Sequence, residues 1–578
     1  MIARAGLLAL LWLGRPPQAQ AGVTFITHGL NGNVDGWVTG MATNVPVHPG
    51  FRGPNFSVYT MSFTPAGGGG FTLGALRTAG VAATNPASGE VIVKLDWRDL
   101  ADGNSYNTFQ VASFVLPALL NTNFISELGG HALAEFPLHF IGHSRGGSLL
   151  CELSRLLGTN GIWVDHLTTL DPHPLNAPGF PFDGSFNAVD APMNTYENLL
   201  FHDNYWQSSD FFVFGQSVAG AFVRKLTSNS GGYSGVGGAH SDVHLWYHGT
   251  INTNTPTSDA EASLLAAQRT AWWTAYEAQG ARAGFIYSLI GGADRTSMDQ
   301  PVGQGFAMIR DGYNQWWDLG AGVANNRTAL PANNGAWPNV VKFNRTTTNR
   351  VEQGQGMPVR FYYQWAQPGT SLATLRIYLD ADLNPLNTNQ TLLQEIIVPG
   401  TGAGFISFST TNLTLAASNA APGVHTVLAT ITGGDRTRHL YAPETVEVIA
   451  PRQPPTLDIT KLNATQFRIG VNGARKVKPS PCHAVHFCTV SYESSDSSSQ
   501  KFASSSSVFS TGSSTVERSS VSGSSVQGSV KRNGIRLLNH MRDGIRVAAG
   551  GAHHKQAGCR RHRRLIYPSR NSAVRSAE

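Results

Sequence analysis

The chain has 578 residues, of which 41% are hydrophobic and only 13% are charged. This length predicts two or three domains, and low charge with 63 glycines excludes a chain built of long solvated helices. Residues 451–578 carry 20 Lys and Arg against 6 Asp and Glu, which leaves 22 and 30 for residues 1–450. A body with this acidic excess does not favour nucleic-acid binding.

Residues 1–21 have the pattern of a signal peptide. A short basic start is followed by an apolar run of nine residues, 5–13, and then by Ala19-Gln20-Ala21, which has the small-residue spacing of a cleavage site. The alternative is a buried first helix. The run is too short to span a bilayer, and no other run is long and apolar enough to do so. We therefore expect a secreted or cell-envelope protein with no transmembrane segment.

Residues 22–294 alternate short apolar runs with helical stretches. The runs that predict strands are 23–27, 55–62, 91–95, 138–141 and 164–170, and the predicted helices are 109–120, 124–136 and 148–157. Strands that alternate with helices form a mostly parallel sheet with helices on both faces. We therefore predict one α/β domain over this range.

The character of the sequence changes after this domain. Residues 295–345, rich in Gly, Asn and Pro, are predicted to connect it to a second domain at 346–450. That domain contains runs that predict strands at 359–365, 375–379, 395–398, 405–409, 426–431 and 445–449. Their spacing is typical of an Ig-like β-sandwich. Residues 451–578 are rich in Ser and basic residues and contain few large apolar ones, so we predict a disordered tail.

The most informative motif is Gly142-His143-Ser144-Arg145-Gly146. It follows a predicted buried strand and opens a predicted helix. A turn this sharp forces its central residue into a strained conformation and exposes the hydroxyl of Ser144 above the sheet, and small residues are needed on both sides. The helix N-terminus favours negative charge that develops there. We therefore predict that Ser144 is a nucleophile, the alternative being an incidental serine in a glycine-rich turn.

A serine hydroxyl needs a base, which an acid must orient. In chain order the acid comes next, and Asp171 lies at the end of the following strand. Asp190 and Asp203 are weaker candidates, and a turn-forming aspartate before Pro172 is the structural alternative.

Two histidines, His240 and His244, are candidates for the base, whereas His202 and His248 fit the pattern less well. Both candidates follow the glycine-rich residues 231–238, so we expect them in a loop. The residue pattern alone leaves the choice between His240 and His244 open.

An oxyanion hole would complete such a site, and it needs two backbone N–H groups. One is expected from Arg145, the residue after the nucleophile. The other is expected from Leu30, because His28-Gly29-Leu30 ends an early strand and Gly29 allows a close approach of the backbone. The side chain of His28 is expected to be structural.

Together these segments resemble the pancreatic-lipase-like branch of the α/β-hydrolase superfamily. The matching stretches are 26–30 with Trp37, 95–98, 140–147 and 169–172. In that family the base precedes two aromatic residues by six and seven positions, as His240 precedes Trp246 and Tyr247, so the resemblance favours His240 over His244. It implies an α/β-hydrolase fold and hydrolysis of carboxylic esters, often lipid esters, without a cofactor.

The chain departs from the family at two points. Arg145 stands where many lipases have an uncharged residue, and the disulfides that family members often have are absent. The family often has a lid between the acid and the histidine. Residues 173–239 are long enough for one, and their aromatic residues would otherwise belong to the core.

Two other groups of residues have the appearance of metal sites. Asp380, Asp382 and Asn384 have the alternate spacing of calcium ligands, but Pro385 stands where a glycine is usual and no acid follows at the twelfth position, so a polar turn is favoured. Cys482, His483, His486 and Cys488 match no zinc-finger spacing. Cys151 is expected to be a buried thiol. We therefore predict no metal.

The sequence thus predicts a secreted esterase or lipase with an appended β-sandwich, acting on an ester or lipid substrate with transient contact to a lipid surface. A second hypothesis is a non-catalytic protein that binds a cell surface or carbohydrate through the sandwich. A third is an amidase or acyltransferase with the same three residues.

Overall fold

The computed structural model describes the chain in segments. They are 22–51, 55–66, 70–84, 88–177, 186–209, 213–226, 238–252, 284–291, 327–331, 335, 337–345, 350–402, 407–415, 420–442, 445–451, 456–461, 467–472 and 506–509. The predicted signal peptide at 1–21 and most of the predicted connecting segment lie outside them.

The first domain is built on an eight-stranded sheet in the order β3-β2-β4-β1-β5-β6-β7-β8. Its strands are β1 (Val23–Thr27), β2 (Asn55–Ala66), β3 (Gly70–Gly80), β4 (Ser88–Asp96), β5 (Leu138–His143), β6 (Val164–Leu170), β7 (Leu199–Trp206) and β8 (Phe222–Lys225). All neighbours are parallel except β2 and β3, which form an antiparallel edge. The central strands β1, β5 and β6 are buried throughout, as expected for a parallel sheet covered on both faces.

Four α-helices of the described segments pack on this sheet: α1 (Trp37–Asn44), α2 (Thr108–Leu120), α3 (Arg145–Thr159) and α4 (Gly238–Ile251). Helix α2 packs on α3, and α1 packs on α4. Helix α1 lies in the connection from β1 to β2, whereas α2 and α3 lie in the connections from β4 to β5 and from β5 to β6. These connections run in opposite directions across the sheet. Because such crossovers are right-handed, the two pairs cover opposite faces of the sheet.

The stretch 124–136 and the strand β3 differ from the sequence prediction. The stretch 124–136 forms two short 3-10 turns, Ser126–Leu128 and Leu133–Glu135, instead of a helix. Gly129 and Gly130, with φ of 65° and 88°, lie between the turns in conformations that end a helix. The edge strand β3 was not predicted, because its mostly exposed residues lack an apolar run.

The second domain is a two-sheet β-structure. One sheet contains β10 (Arg350–Glu352), β12 (Leu372–Asp380), β13 (Thr391–Pro399), β15 (Gly423–Gly433), β16 (Arg436–Tyr441) and β17 (Val446–Ile449). The other contains β9 (Asn339–Arg345), β11 (Gly356–Gln364) and β14 (Ser407–Thr414). Apolar residues of both sheets, such as Phe361 and Ile377, share one core. Strand β9 lies in the segment that was expected only to connect the domains.

The second domain docks at the amino-terminal edge of the first sheet. Arg438 on β16 donates to the backbone oxygens of Ala134, at 2.5 Å, and of Trp163, at 2.9 Å. The indole of Trp163 donates to the side chain of Gln364 at 3.1 Å, and its backbone N–H donates to Asn339 at 3.1 Å. Ala134 and Trp163 lie just before β5 and β6, so the sandwich lies at the edge where these strands begin.

Residues 452–578 form a separate unit. Within it, β18 (Thr456–Lys461), β19 (Phe467–Asn472) and β20 (Ser506–Phe509) form a three-stranded sheet. These strands lie in the part of the chain for which composition predicts disorder, and the remainder of that part is outside the described segments. Among the described helices, none has the length and apolar character needed to cross a membrane.

Candidate active site

The residues that directly follow five neighbouring parallel strands lie at one edge of the sheet. His28 follows β1, Trp97 follows β4, Ser144 follows β5, Asp171 follows β6 and Gln207 follows β7. The carboxyl ends of parallel strands meet at the same edge of a sheet, which is where ligands bind in open α/β folds. The topology alone therefore brings the predicted nucleophile and the predicted acid together.

Ser144 lies in a strained turn between β5 and α3. Its φ of 55° and ψ of −127° are unfavourable for a residue with a side chain and cost about 1–3 kcal/mol. A Cβ at Gly142 would lie 2.5 Å from the backbone oxygen of Gly146, and one at Gly146 would lie 2.3 Å from that of His28. Only glycine fits at both positions, as the motif predicts, and the packing around them holds the strain at Ser144.

Asp171 is fully buried and is held by four hydrogen bonds. Its Oδ1 accepts from the N–H groups of Gln207, at 2.9 Å, and Gly215, at 3.0 Å. Its Oδ2 accepts from the side-chain amide of Gln207 at 2.8 Å and from Nδ1 of His240 at 2.6 Å. These four donors satisfy the buried carboxylate and fix its orientation. A Cβ at Gly215 would lie 2.5 Å from Oδ1, so the close approach requires glycine.

His240 lies in the first turn of α4, not in a loop as the glycine-rich residues before it suggested. Its backbone oxygen accepts a hydrogen bond from Nε2 of His143 at 3.0 Å, and the two rings lie 4.4 Å apart. His143 precedes Ser144, so this contact brings His240 beside the nucleophile's turn. Burial and the neighbouring histidines lower the pKa of His143 well below its usual value, so its ring is neutral.

His244, the other candidate base, lies one turn further along α4. It is buried and stacks on Trp37 with ring centroids 4.4 Å apart. Because Asp171 contacts His240, the geometry favours His240 as the base. With Nδ1 on Asp171, Nε2 is the nitrogen left to exchange a proton.

The predicted oxyanion donors lie on the two sides of Ser144. A Cβ at Gly29 would lie 2.6 Å from the Cβ of Ser144 and 3.0 Å from its Oγ, so the first loop passes directly over the hydroxyl. Gly32 closes this loop by donating to the backbone oxygen of Gly29 at 3.3 Å. Among the described residues, no hydrogen bond uses the N–H of Leu30 or of Arg145.

Trp97 holds both of these segments. Its backbone N–H donates to Nε2 of His28 at 3.2 Å, and its indole N–H donates to the backbone oxygen of His28 at 3.1 Å. The guanidinium of Arg145 lies over the same indole, 5.2 Å from the ring centroid. The side chain of His28 is therefore structural, as expected, and one buried tryptophan supports the segments that carry both oxyanion donors.

Arg145 forms a buried ion pair with Asp190. Its Nε and Nη2 each donate to a carboxylate oxygen of Asp190 at 2.8 Å, and both side chains are fully buried. Asp190 also accepts from the N–H groups of Thr108, at 3.0 Å, and Leu175, at 2.9 Å. The arginine that departs from the lipase pattern therefore anchors the loop after β6, and Asp190 is occupied in this role instead of orienting a base.

The remaining candidates lie inside the domain. Asp203 accepts from Nε2 of His166 at 2.8 Å and from Thr168 at 2.6 Å, and burial raises its pKa to about 6. His202 contacts Thr169 and Thr195, and burial lowers its pKa to about 3. Neither residue contacts the site at the edge of the sheet.

The suggested calcium ligands form a polar turn after β12. Oδ1 of Asp380 accepts from the N–H of Asp382 at 2.9 Å and its Oδ2 accepts from the hydroxyl of Tyr441. Oδ2 of Asp382 accepts from the side-chain amides of Asn387, at 2.9 Å, and Asn389, at 2.7 Å. The Oδ1 of Asn384 accepts from the N–H of Leu386 at 3.0 Å. These oxygens are occupied by protein donors.

Several predictions from the sequence concern residues that lie partly or wholly outside the described segments. Cys151 is a buried free thiol on α3, as expected, whereas the Cys482 to Cys488 cluster is not described. The candidate lid at 173–239 is described only in part, at 173–177, 186–209, 213–226 and 238–239.

Sequence reasoning missed Gln207, the residue that contacts Asp171 through both its backbone and its side chain. Its position directly after an apolar strand was the available signal, but β7 was not recognised. Leu199–Trp206 contains His202, Asp203 and Asn204, which interrupt its apolar pattern.

Comparisons with known proteins add little to this geometry. No protein-family model and no curated protein matches the chain. Among solved structures, a superoxide reductase from Ignicoccus hospitalis is 13% identical over 19% of this chain and 80% of its own, with a TM-score of 0.13. An alkylpurine DNA glycosylase, AlkC, from Pseudomonas fluorescens is 13% identical over 20% of this chain and 31% of its own, with a TM-score of 0.14. Likenesses this weak bear on neither the fold nor the function.

Proposed function

We propose that the protein is a secreted serine hydrolase of the α/β-hydrolase fold that cleaves carboxylic esters. The observation that carries the proposal is the 2.6 Å hydrogen bond between His240 and buried Asp171, at the sheet edge where Ser144 is held in its strained turn. A nucleophile on such a turn, a base and a buried acid are the parts that acyl transfer requires.

In the proposed reaction, Oγ of Ser144 attacks the ester carbonyl carbon as its proton moves to Nε2 of His240. Asp171 holds the imidazole in the required tautomer and stabilises its charged form. The oxyanion receives hydrogen bonds from the N–H groups of Leu30 and Arg145. His240 then gives the proton to the leaving alkoxide, and the C–O bond of the ester breaks to leave an acyl group on Ser144.

Water completes the cycle. His240 removes a proton from the water, whose oxygen attacks the acyl carbon, and the proton passes to Oγ of Ser144 as the carboxylic acid leaves. The cycle consumes one ester and one water molecule and needs no cofactor. Residues 1–21 support secretion by their sequence pattern alone.

The test is turnover of p-nitrophenyl butyrate and p-nitrophenyl palmitate by the purified full-length protein. We expect hydrolysis that falls about a millionfold in kcat in Ser144→Ala and is retained in Ser113→Ala, an exposed serine on α2. Preference for butyrate defines an esterase and preference for palmitate a lipase. Cleavage of the matching p-nitroanilide in preference to both esters, or no turnover by folded protein, contradicts the proposal.

A second comparison tests the choice of base. We expect His240→Ala to lose activity to the same extent as Ser144→Ala, and His244→Gln to keep the activity of its folded fraction. The reverse result would move the base to His244.

A further inference from the structure

Two histidines and a glutamate converge where the sandwich docks on the first domain. Nδ1 of His131 lies 2.7 Å from Oε2 of Glu135, and Nε2 of His439 lies 3.7 Å from the same oxygen. The three potential ligand atoms all lie within 4.8 Å of one another. His131 and Glu135 belong to the segment before β5, whereas His439 lies on β16 of the sandwich.

The Nε2 atom of His439 is aimed into this group without a hydrogen-bond partner among the described residues. The side chain of His439 is only 7% exposed, and this nitrogen is buried. A buried polar atom without a partner is costly, so it indicates a missing ligand. The 3.7 Å separation from Glu135 is too long for a hydrogen bond but suits two atoms that bind one ion.

Neighbouring groups fix the orientation of these side chains. Nδ1 of His439 lies 3.0 Å from the hydroxyl of Thr430, and the ring stacks on Phe136 with centroids 5.3 Å apart. Donation from Nδ1 to Thr430 leaves the lone pair of Nε2 facing Glu135. Oε1 of Glu135 accepts from the N–H of Ala132 at 3.0 Å, which turns Oε2 towards both histidines. Such outer contacts are typical of metal-binding histidines and carboxylates.

From this arrangement we propose that His131, Glu135 and His439 bind a divalent transition metal, with Zn²⁺ as the first candidate, and that the ion joins the sandwich to the first domain. Metal–ligand bonds of about 2.0–2.1 Å place two ligands of a tetrahedral ion about 3.3 Å apart. That spacing lies between the 2.7 Å and 3.7 Å separations from Glu135, so small side-chain movements suffice.

The surroundings also set the expected strength and geometry of the site. His131 is 33% exposed, which leaves room for water as the fourth ligand. Two neutral imidazoles and one carboxylate leave a net positive charge on the ion. Arg438, which precedes His439 in the chain, adds a second positive charge that acts on this histidine. Affinity is therefore expected to be weaker than that of zinc sites made of thiolates.

The experiment is calorimetric titration of the chelator-treated full-length protein with Zn²⁺. We expect one ion per chain, and binding weakened by at least about 100-fold in His439→Asn and His131→Asn, because even the loss of an outer-shell partner costs about 10- to 100-fold. His131→Asn changes a partly exposed side chain, so it tests the site even if His439→Asn fails to fold. The matched control is His425→Asn in the same sandwich, where Nε2 of the ring lies 2.8 Å from the backbone oxygen of Ala421.

Substitution with Co²⁺ identifies the ligands independently of affinity. A spectrum of nitrogen and oxygen ligation that is lost in His131→Asn supports the site. An intense thiolate-to-cobalt charge-transfer band would place the metal on cysteines and overturn the proposal. Equal Zn²⁺ binding by the wild type, His131→Asn and His439→Asn, or no binding by the wild type, would also overturn it.

Discussion

The two edges of the eight-stranded sheet, at the carboxyl ends and at the amino ends of its parallel strands, differ in backbone conformation. At the carboxyl edge, Ser144, Asp171 and Asn31 all have positive φ although none of them is a glycine. At the amino edge, positive φ falls on glycines such as Gly129 and Gly161, which adopt it without strain. Among the described residues at these two edges, positive φ at residues with a side chain therefore occurs at the edge that carries the candidate chemistry.

One sheet thus places the candidate catalytic residues at one edge and the contacts between the two domains at the other. Side chains at the carboxyl edge are held by many hydrogen bonds in conformations they would not adopt alone, as strained functional residues require. Side chains at the amino edge, such as Arg438 and Trp163, join two domains. Substitutions of Ser144, Asp171 and His240 should therefore change rates, and substitutions at the amino edge should change the free energy of unfolding and leave rates unchanged.

The largest effect is expected at Asp171. Asp171→Asn keeps the shape of the side chain but favours the wrong tautomer of His240, so kcat should fall about 10⁴-fold. Stopped-flow and steady-state assays with a p-nitrophenyl ester measure the change. Activity within tenfold of the wild type would show that Asp171 does not orient the base.

The next effect concerns the buried pair at the carboxyl edge. Arg145→Met leaves Asp190 buried without its cation, which should reduce the free energy of unfolding by about 3–5 kcal/mol. Urea titration measures the loss. The control is Arg376→Met on β12, where the exposed pair with Glu395 should contribute at most about 1 kcal/mol.

A double-mutant cycle then separates the pair from its surroundings. Arg145→Met with Asp190→Asn removes both charges, so the double variant should be less destabilised than the sum of the single variants. Additive losses would mean that the two side chains contribute independently, and the ion pair would not explain this arginine.

A smaller effect is expected at the amino edge. Arg438→Met leaves the backbone oxygens of Ala134 and Trp163 without their donor, and should reduce the free energy of unfolding by about 1–3 kcal/mol. Because these contacts are remote from Ser144, the kcat of the proposed reaction should be unchanged in the folded protein. Arg436→Met, a partly exposed position on the same strand, is the control. A loss of kcat without a loss of stability would break the division between the edges.

The last effect is a pH dependence that originates at Glu90. Burial raises the pKa of Glu90 from 4.5 to about 7, and the nearby charge of Asp165 contributes in the same direction. Between these pH values the unfolded chain releases its proton first, so the stability of the native state should fall as pH rises from 4.5 to 7. In Glu90→Gln this fall should be smaller, because the contribution of Glu90 is removed. An identical pH profile of the melting temperature in both proteins would rule Glu90 out as its source.

The sequence predicted those parts whose signals are local. The strand before Ser144, the turn around it and the helix after it lie within one continuous stretch, and each has its own pattern. Asp171 was predicted as the acid because it follows the next strand in the chain. His240 was ranked above His244 by its spacing to Trp246 and Tyr247, which a family resemblance supplied and the residue pattern alone did not.

The parts that escaped prediction depend on contacts between distant residues. Gln207 lies beside Asp171 only because β7 pairs with β6. The contact between Arg438 and Ala134 joins residues 304 positions apart, and the group formed by His131, Glu135 and His439 depends on the same docking. No periodicity within either segment carries this information.

The most direct test of the account is to label the purified full-length protein with a fluorophosphonate and to locate the adduct by peptide mass mapping, with Ser144→Ala and Asp171→Asn in parallel. The account predicts one adduct per chain on Ser144, no labelling of Ser144→Ala, and slow labelling of Asp171→Asn, because its base is poorly oriented. An adduct on another serine, or a folded wild-type protein that is not labelled, would contradict the claim that this sheet edge activates Ser144.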